Sequence, residues 1–105
     1  MEEDEGSAGS LSRVVVSEPA FEDINRIWLH IAADNIQAAD RIVAEFEARF
    51  ALLSALPDIG HARPDLPAAV RCFPVGNYLI IYQHFPGELR IVRVLHGARL
   101  LEGLF

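Results

Sequence analysis

Four residues in the C-terminal third could do chemistry together: Arg71, Arg93, His96 and Arg99. An imidazole beside guanidiniums can hold an anion and move a proton near neutral pH. Arg71 lies on one β-like segment and His96-Gly97-Ala98-Arg99 closes its neighbour, so Arg71 and Arg99 could converge. Two arginines and a histidine also form ordinary surface clusters. Arg93 sits among Leu89, Ile91 and Leu95, where an unpaired charge is costly. It calls either for an ion pair with a helix acid, Asp23 or Glu22, or for a contact to a partner's backbone or carboxylate. His96 is either an acid–base group or a packing residue at a strand end. Tyr78 and Tyr82, four residues apart, share a strand face with Ile80. They suit a core or, alternatively, stacking on a base.

Other chemistries are disfavoured. The chain has no glycine-rich phosphate loop and no lysine, so all nine cations are arginines. His30, His61, His84 and His96 lie at non-ligand spacings, and Cys72 stands alone, so neither metal nor cofactor is expected. Asp65 and Glu88 fall in turns, where solvation is the default. A single cysteine excludes an internal disulfide and suits a reducing cytoplasm. The acidic start is no secretory signal, and no apolar run nears the roughly 18 residues of a membrane span. The net charge of −6 hides an asymmetry. Residues 1–60 carry four Arg against twelve acids, and residues 61–105 carry five Arg against three. A pI near 5.0 is far from the basic footprint of a nucleic-acid binder.

The elements that must position these groups follow from periodicity. A chain of 105 residues makes one domain. Residues 1–10 read as a disordered acidic tail, and 11–105 as the folded unit. Arg13 to Val16 is β-branched and short, the first strand. Ser17 caps a helix with Pro19 in its first turn. Phe21, Ile24, Ile27, Trp28 and Ile31 form its apolar face, with Glu22, Asp23, Arg26 and His30 opposite. Asn35 caps a second helix that Pro57 ends, and the short link makes an antiparallel helical hairpin. Pro57 to Pro67 reads as loop. Val70 to Val75, Tyr78 to Tyr82 and Leu89 to Leu95 form an antiparallel meander turned at Gly76-Asn77 and at Phe85 to Glu88. The fold class is α+β, order β-α-α-β-β-β, with the helices on one sheet face and the other face bare. The apolar tail Leu100 to Phe105 either docks on the sheet edge or waits for a partner.

The ordered set of motifs resembles ParE-type toxins of the RelE/ParE superfamily. "DINRIWLHIAADNIQAADRIV" (Asp23 to Val43) is similar to their helical hairpin. "LPDIGHARPDL" (Leu56 to Leu66) resembles their Pro-x-x-Gly loop, and "VRCFPVGNYLIIY" and "IVRVLHGAR" resemble their strand motifs. Gln83 departs from the basic residue expected after the tyrosine. The resemblance implies a type II toxin that inhibits DNA gyrase by binding and is neutralised by a ParD-like antitoxin, with DNA reached only through that complex. It implies a partner surface of Arg71, Tyr82, Arg93, His96, Arg99, Leu101, Leu104 and Phe105. Two other members of the superfamily stand beside this reading. One is a ribosome-dependent mRNA endoribonuclease using Arg71, Arg93, His96 and Arg99; the other is an inactive member that binds only its antitoxin.

Overall fold

The computed structural model describes residues 12–63 and 70–97. β1 (Arg13–Val16) leads into α1 (Glu18–Ala32) and α2 (Ile36–Ala55). A 3-10 turn (Pro57–Ile59) and a two-residue β2 (His61–Ala62) follow. Then come β3 (Val70–Val75), β4 (Tyr78–Phe85) and β5 (Glu88–His96). The helix starts are where the caps put them. The Ser17 hydroxyl accepts from the Ala20 N–H, and the Asn35 side chain accepts from the Ala38 N–H. At the corner between the helices, Ala39 is fully buried and the Trp28 indole donates to Asp40 at 2.8 Å.

The two hairpin turns are also as expected. Gly76, at φ 57, begins the loop between Val75 and Tyr78, and Gly87, at φ 77, follows Pro86 between Phe85 and Glu88. Both positions lie in the left-handed region that glycine enters without steric cost.

The sheet order is β1-β5-β4-β3-β2. It differs from the expected antiparallel sheet in two ways. β1 runs parallel to β5, from Arg13 opposite Glu88 to Val16 opposite Ile91. The sheet is therefore mixed, because the helical hairpin returns the chain to β1's own starting end before β3 begins. β2 adds a fifth strand inside the stretch read as loop, pairing His61 with Cys72.

A bulge then changes which residues share a face. β4 and β5 pair up to Tyr82 opposite Ile91 and resume at Ile81 opposite Arg93, leaving Val92 as the extra residue. Leu89, Ile91 and Val94 therefore join Ile80, Tyr82, Phe46, Phe50 and Leu53 in the core beneath the helices. Arg93 and Leu95 do not share a face with Leu89 and Ile91, as simple alternation would have it. The second face is not bare either. Val70, Cys72, Ile81 and Leu95 cluster there, each at most 5% exposed, with Leu79 and Val92 against them. A patch of such side chains left in water would forfeit the hydrophobic gain that its composition offers.

Candidate functional site

Where β1 stops at Val16, β5 continues to His96 and exposes an edge. The start of α1 closes that edge. Ser17 donates its hydroxyl to the Val92 carbonyl at 3.0 Å and its N–H to the Ile91 carbonyl at 3.0 Å. Six residues later, Asp23 takes the place of the missing strand. Its Oδ2 accepts from the Val94 N–H at 3.0 Å and from Arg93 Nε at 2.7 Å. Its Oδ1 accepts from Arg93 Nη2 at 2.9 Å and from Arg26 Nη1 at 3.2 Å. Four hydrogen bonds fill the capacity of a carboxylate. Asp23 is 2% exposed, so it belongs to the buried stripe of α1 with Ala20, and the expectation that it lies on the solvent side is corrected. Phe21, read as part of the apolar face, is instead exposed. The helix is rotated to bury the carboxylate because burial costs little once every lone pair is occupied.

Burial alone would raise the Asp23 pKa. The hydrogen bonds from Arg93 and from the Val94 N–H, with the charge of Arg93, outweigh it and hold the carboxyl below the ordinary carboxylate range. The same bonds raise the Arg93 pKa further. Of the alternatives open for Arg93, the structure realises the internal ion pair, with Asp23 rather than Glu22.

A second knot lies at the far end of the meander. Tyr82 is fully buried, donates its hydroxyl to the Pro57 carbonyl at 2.6 Å and accepts from the Gly60 N–H at 3.0 Å. Burial pushes its pKa up. A Cβ on residue 60 would lie 2.7 Å from Tyr82 Cε1, so only glycine lets the ring in. That is the physical content of the Pro57-Asp58-Ile59-Gly60 spacing. Arg71 braces the same turn, donating from Nη1 to the Gly60 carbonyl at 2.8 Å and to the Asp58 carbonyl at 3.3 Å.

Sequence reasoning grouped Arg71, Arg93, His96 and Arg99. The structure does not bring the first three to one point. Arg71 lies level with Tyr82, and His96 level with Tyr78 two strands away. At about 3.3 Å per residue and 4.8 Å per strand, that is a backbone separation of about 16 Å. Tyr82, expected on the partner surface, is fully buried in the core beneath the helices. Arg99, Leu101, Leu104 and Phe105 lie outside the described residues. His96 is exposed, its ring edge-on to Tyr78 at 5.5 Å, which in turn meets Phe46 edge-on at 5.5 Å. Between β5 and α1, His96 and Tyr78 line a cleft of about 310 Å³ with Arg26, Ile27 and His30. Sequence reasoning missed this cleft. Arg26 and His30 are one helical turn apart, which could have marked it, but nothing in the sequence says which strand end they face. Among the described residues, no group of His, Cys, Asp and Glu is placed to hold a metal ion, and no helix is long and apolar enough to cross a membrane.

Comparison with known proteins supplies the family. Residues 14–101 match the model for the ParE toxin of the type II toxin–antitoxin system parDE. No curated protein matches the sequence significantly. Among solved structures, the fold is similar to a chain of the chromosomal ParDE toxin–antitoxin system of P. aeruginosa. The TM-score is 0.70 at 17% identity, covering 83% of this chain and 97% of that one. It is also similar to a chain of the RelBE2 toxin–antitoxin complex of Mycobacterium tuberculosis. There the TM-score is 0.57 at 22% identity, covering 82% and 98%. With a family match across residues 14–101, the chain belongs to the ParE toxins of type II toxin–antitoxin systems.

Proposed function

We propose that this toxin arrests growth by binding DNA gyrase rather than by cutting RNA, and that a ParD-like antitoxin silences it. One observation carries the choice. Arg71 and Arg93, which a ribonuclease of this superfamily would turn toward phosphate, are engaged inside the fold: one on the Gly60 carbonyl, the other on both oxygens of Asp23. The backbone separation of Arg71 from His96 points the same way. A protein of net charge −6 is also poorly suited to gather a polyanion by long-range attraction. The family match and the toxin–antitoxin complexes to which the fold is similar support a protein antitoxin as partner. DNA is then reached only through the toxin–antitoxin complex, and the site of action is the cytoplasm.

A supercoiling assay with purified gyrase tests this reading. Toxin alone is expected to block supercoiling, and stoichiometric antitoxin to restore it, while mRNA stays intact in cells. Codon-dependent message cleavage on ribosomes, with gyrase untouched, would establish the nuclease instead. Residues 100–105 belong to the proposed partner surface. Their truncation is expected to weaken growth arrest or antitoxin binding more than removal of residues 1–10.

A further inference from the structure

The sheet face turned away from the helices is buried, although the apolar residues clustered on it come only from strands. Val70, Cys72, Ile81 and Leu95 pack there with Leu79 and Val92, all from β3, β4 and β5. The helix residues Phe46, Phe50 and Leu53 belong to the cluster on the other face. Side chains on a sheet face with no second layer stay partly in water. Ile81 is instead 0% exposed, Cys72 4% and Leu95 5%. Neighbours within the sheet do not close the top of a side chain in its middle, so a further layer of this chain lies over them.

We propose that the C-terminal segment, residues 98–105, folds back across this face and supplies that layer. Position, reach and composition select it. β5 ends at His96, and the Gly97 N–H donates to the Asn77 carbonyl, so the segment leaves the sheet two residues beyond Leu95. Leu95 lies opposite Leu79, and Val70, the far corner of the patch, lies opposite Gln83. That is four residues along and two strands across, about 16 Å at about 3.3 Å per residue and 4.8 Å per strand. Eight extended residues reach about 26 Å, enough to cross it. Leu100, Leu101, Leu104 and Phe105 supply large apolar side chains that water disfavours. A tethered segment also docks without the association cost that a separate molecule incurs. The other candidates fit less well. Residues 64–69 offer one large apolar side chain, Leu66, between Pro64 and Pro67. Residues 1–11 carry four acids and lead to Ser12, whose N–H bonds the Ser54 carbonyl of α2, on the helix side. The inference concerns the toxin before any partner binds, and it stands apart from gyrase inhibition.

Two measurements test it. In NMR of the full-length wild type, nuclear Overhauser contacts are expected from Leu101, Leu104 or Phe105 to the methyls of Ile81 or Leu95. An isotope-filtered spectrum of mixed labelled and unlabelled chains, which reads contacts between copies, is expected to show none of them. Cys72, the single cysteine, gives the second reading through its rate of reaction with dithionitrobenzoate. Removal of residues 100–105, and separately Leu101→Asp with Leu104→Asp in the full chain, are each expected to speed that reaction at least about tenfold, with Trp28 emission unchanged. Leu66→Asp is expected to leave the rate within about twofold. Absence of the contacts in the folded wild type, or contacts only between copies, would overturn the proposal. So would unchanged Cys72 reactivity in both tail variants, or exposure of Cys72 as large from Leu66→Asp as from the tail changes. If the tail variants fail to fold, the wild-type contacts decide.

Discussion

Arg93 and Arg26 reach the same carboxylate, one on a more buried inner side and one on an exposed outer side, and the two contacts are built differently. On the inner side, Arg93 is held through two nitrogens and its side chain is 27% exposed. On the outer side, Arg26 makes one longer contact and is 70% exposed. The inner half closes a strand edge that β1 leaves open; the outer half opens on the cleft. The difference teaches where charge belongs to the fold and where it is available to another molecule. A charged residue in a strand is not evidence of a site until its partners are counted.

The largest effect should come from the inner half. Asp23→Ala leaves Arg93 and the Val94 N–H without their acceptor, which should cost about 3 kcal/mol. Urea unfolding checks it, and a loss below about 1 kcal/mol would mean that the knot does not hold the edge. Next comes the other knot. Tyr82→Phe orphans the Gly60 N–H and should cost about 2 kcal/mol. Gly60→Ala forces a methyl against the ring and should cost about 1–3 kcal/mol.

The pH dependence sharpens the comparison further. Asp23 has a folded pKa below its unfolded value of about 3.9, so its contribution is fully present above about pH 4. It is lost as pH falls through the lower, folded value. Asp23→Asn should therefore flatten the loss of stability below about pH 4, read from melting temperatures across the acid range. The smallest effect belongs to the outer half. Arg26→Gln and His30→Gln should each change stability by less than about 0.5 kcal/mol. A larger loss from Arg26→Gln would place Arg26 with the fold and erase the contrast.

Much of the fold was legible in the sequence because local chemistry dictates it. Ser17, Asn35 and Pro57 bound the helices, and Gly76-Asn77 and Pro86-Gly87 turn the hairpins, each by a mechanism confined to a few residues. What was not legible depends on distant pairing. Four residues of Arg13–Val16 say "strand" but not beside which strand or in which direction. The bulge at Val92 breaks the alternation without any glycine or proline to announce it. Asp23 looked solvent-facing because its type is polar, and only the approach of Arg93, 70 residues later, makes it a core residue. Of the candidate site, the sequence offered the right pair for Arg93 as one of several options. It also grouped Arg71 with His96, which the strand register separates. The cleft needed the three-dimensional arrangement, since Arg26 and His96 come from opposite ends of the chain.

The central claim is that Arg93 serves the fold while the toxin acts by binding. The double variant Asp23→Asn with Arg93→Gln tests it most directly. Neutral partners can replace the ion pair, and the amide oxygen introduced at position 23 can still accept from the Val94 N–H. Gyrase supercoiling is measured at equal concentrations of folded protein. Inhibition equal to wild type is the expected result. A well-folded double variant that no longer inhibits gyrase would contradict the account, because Arg93 would then have to touch the target.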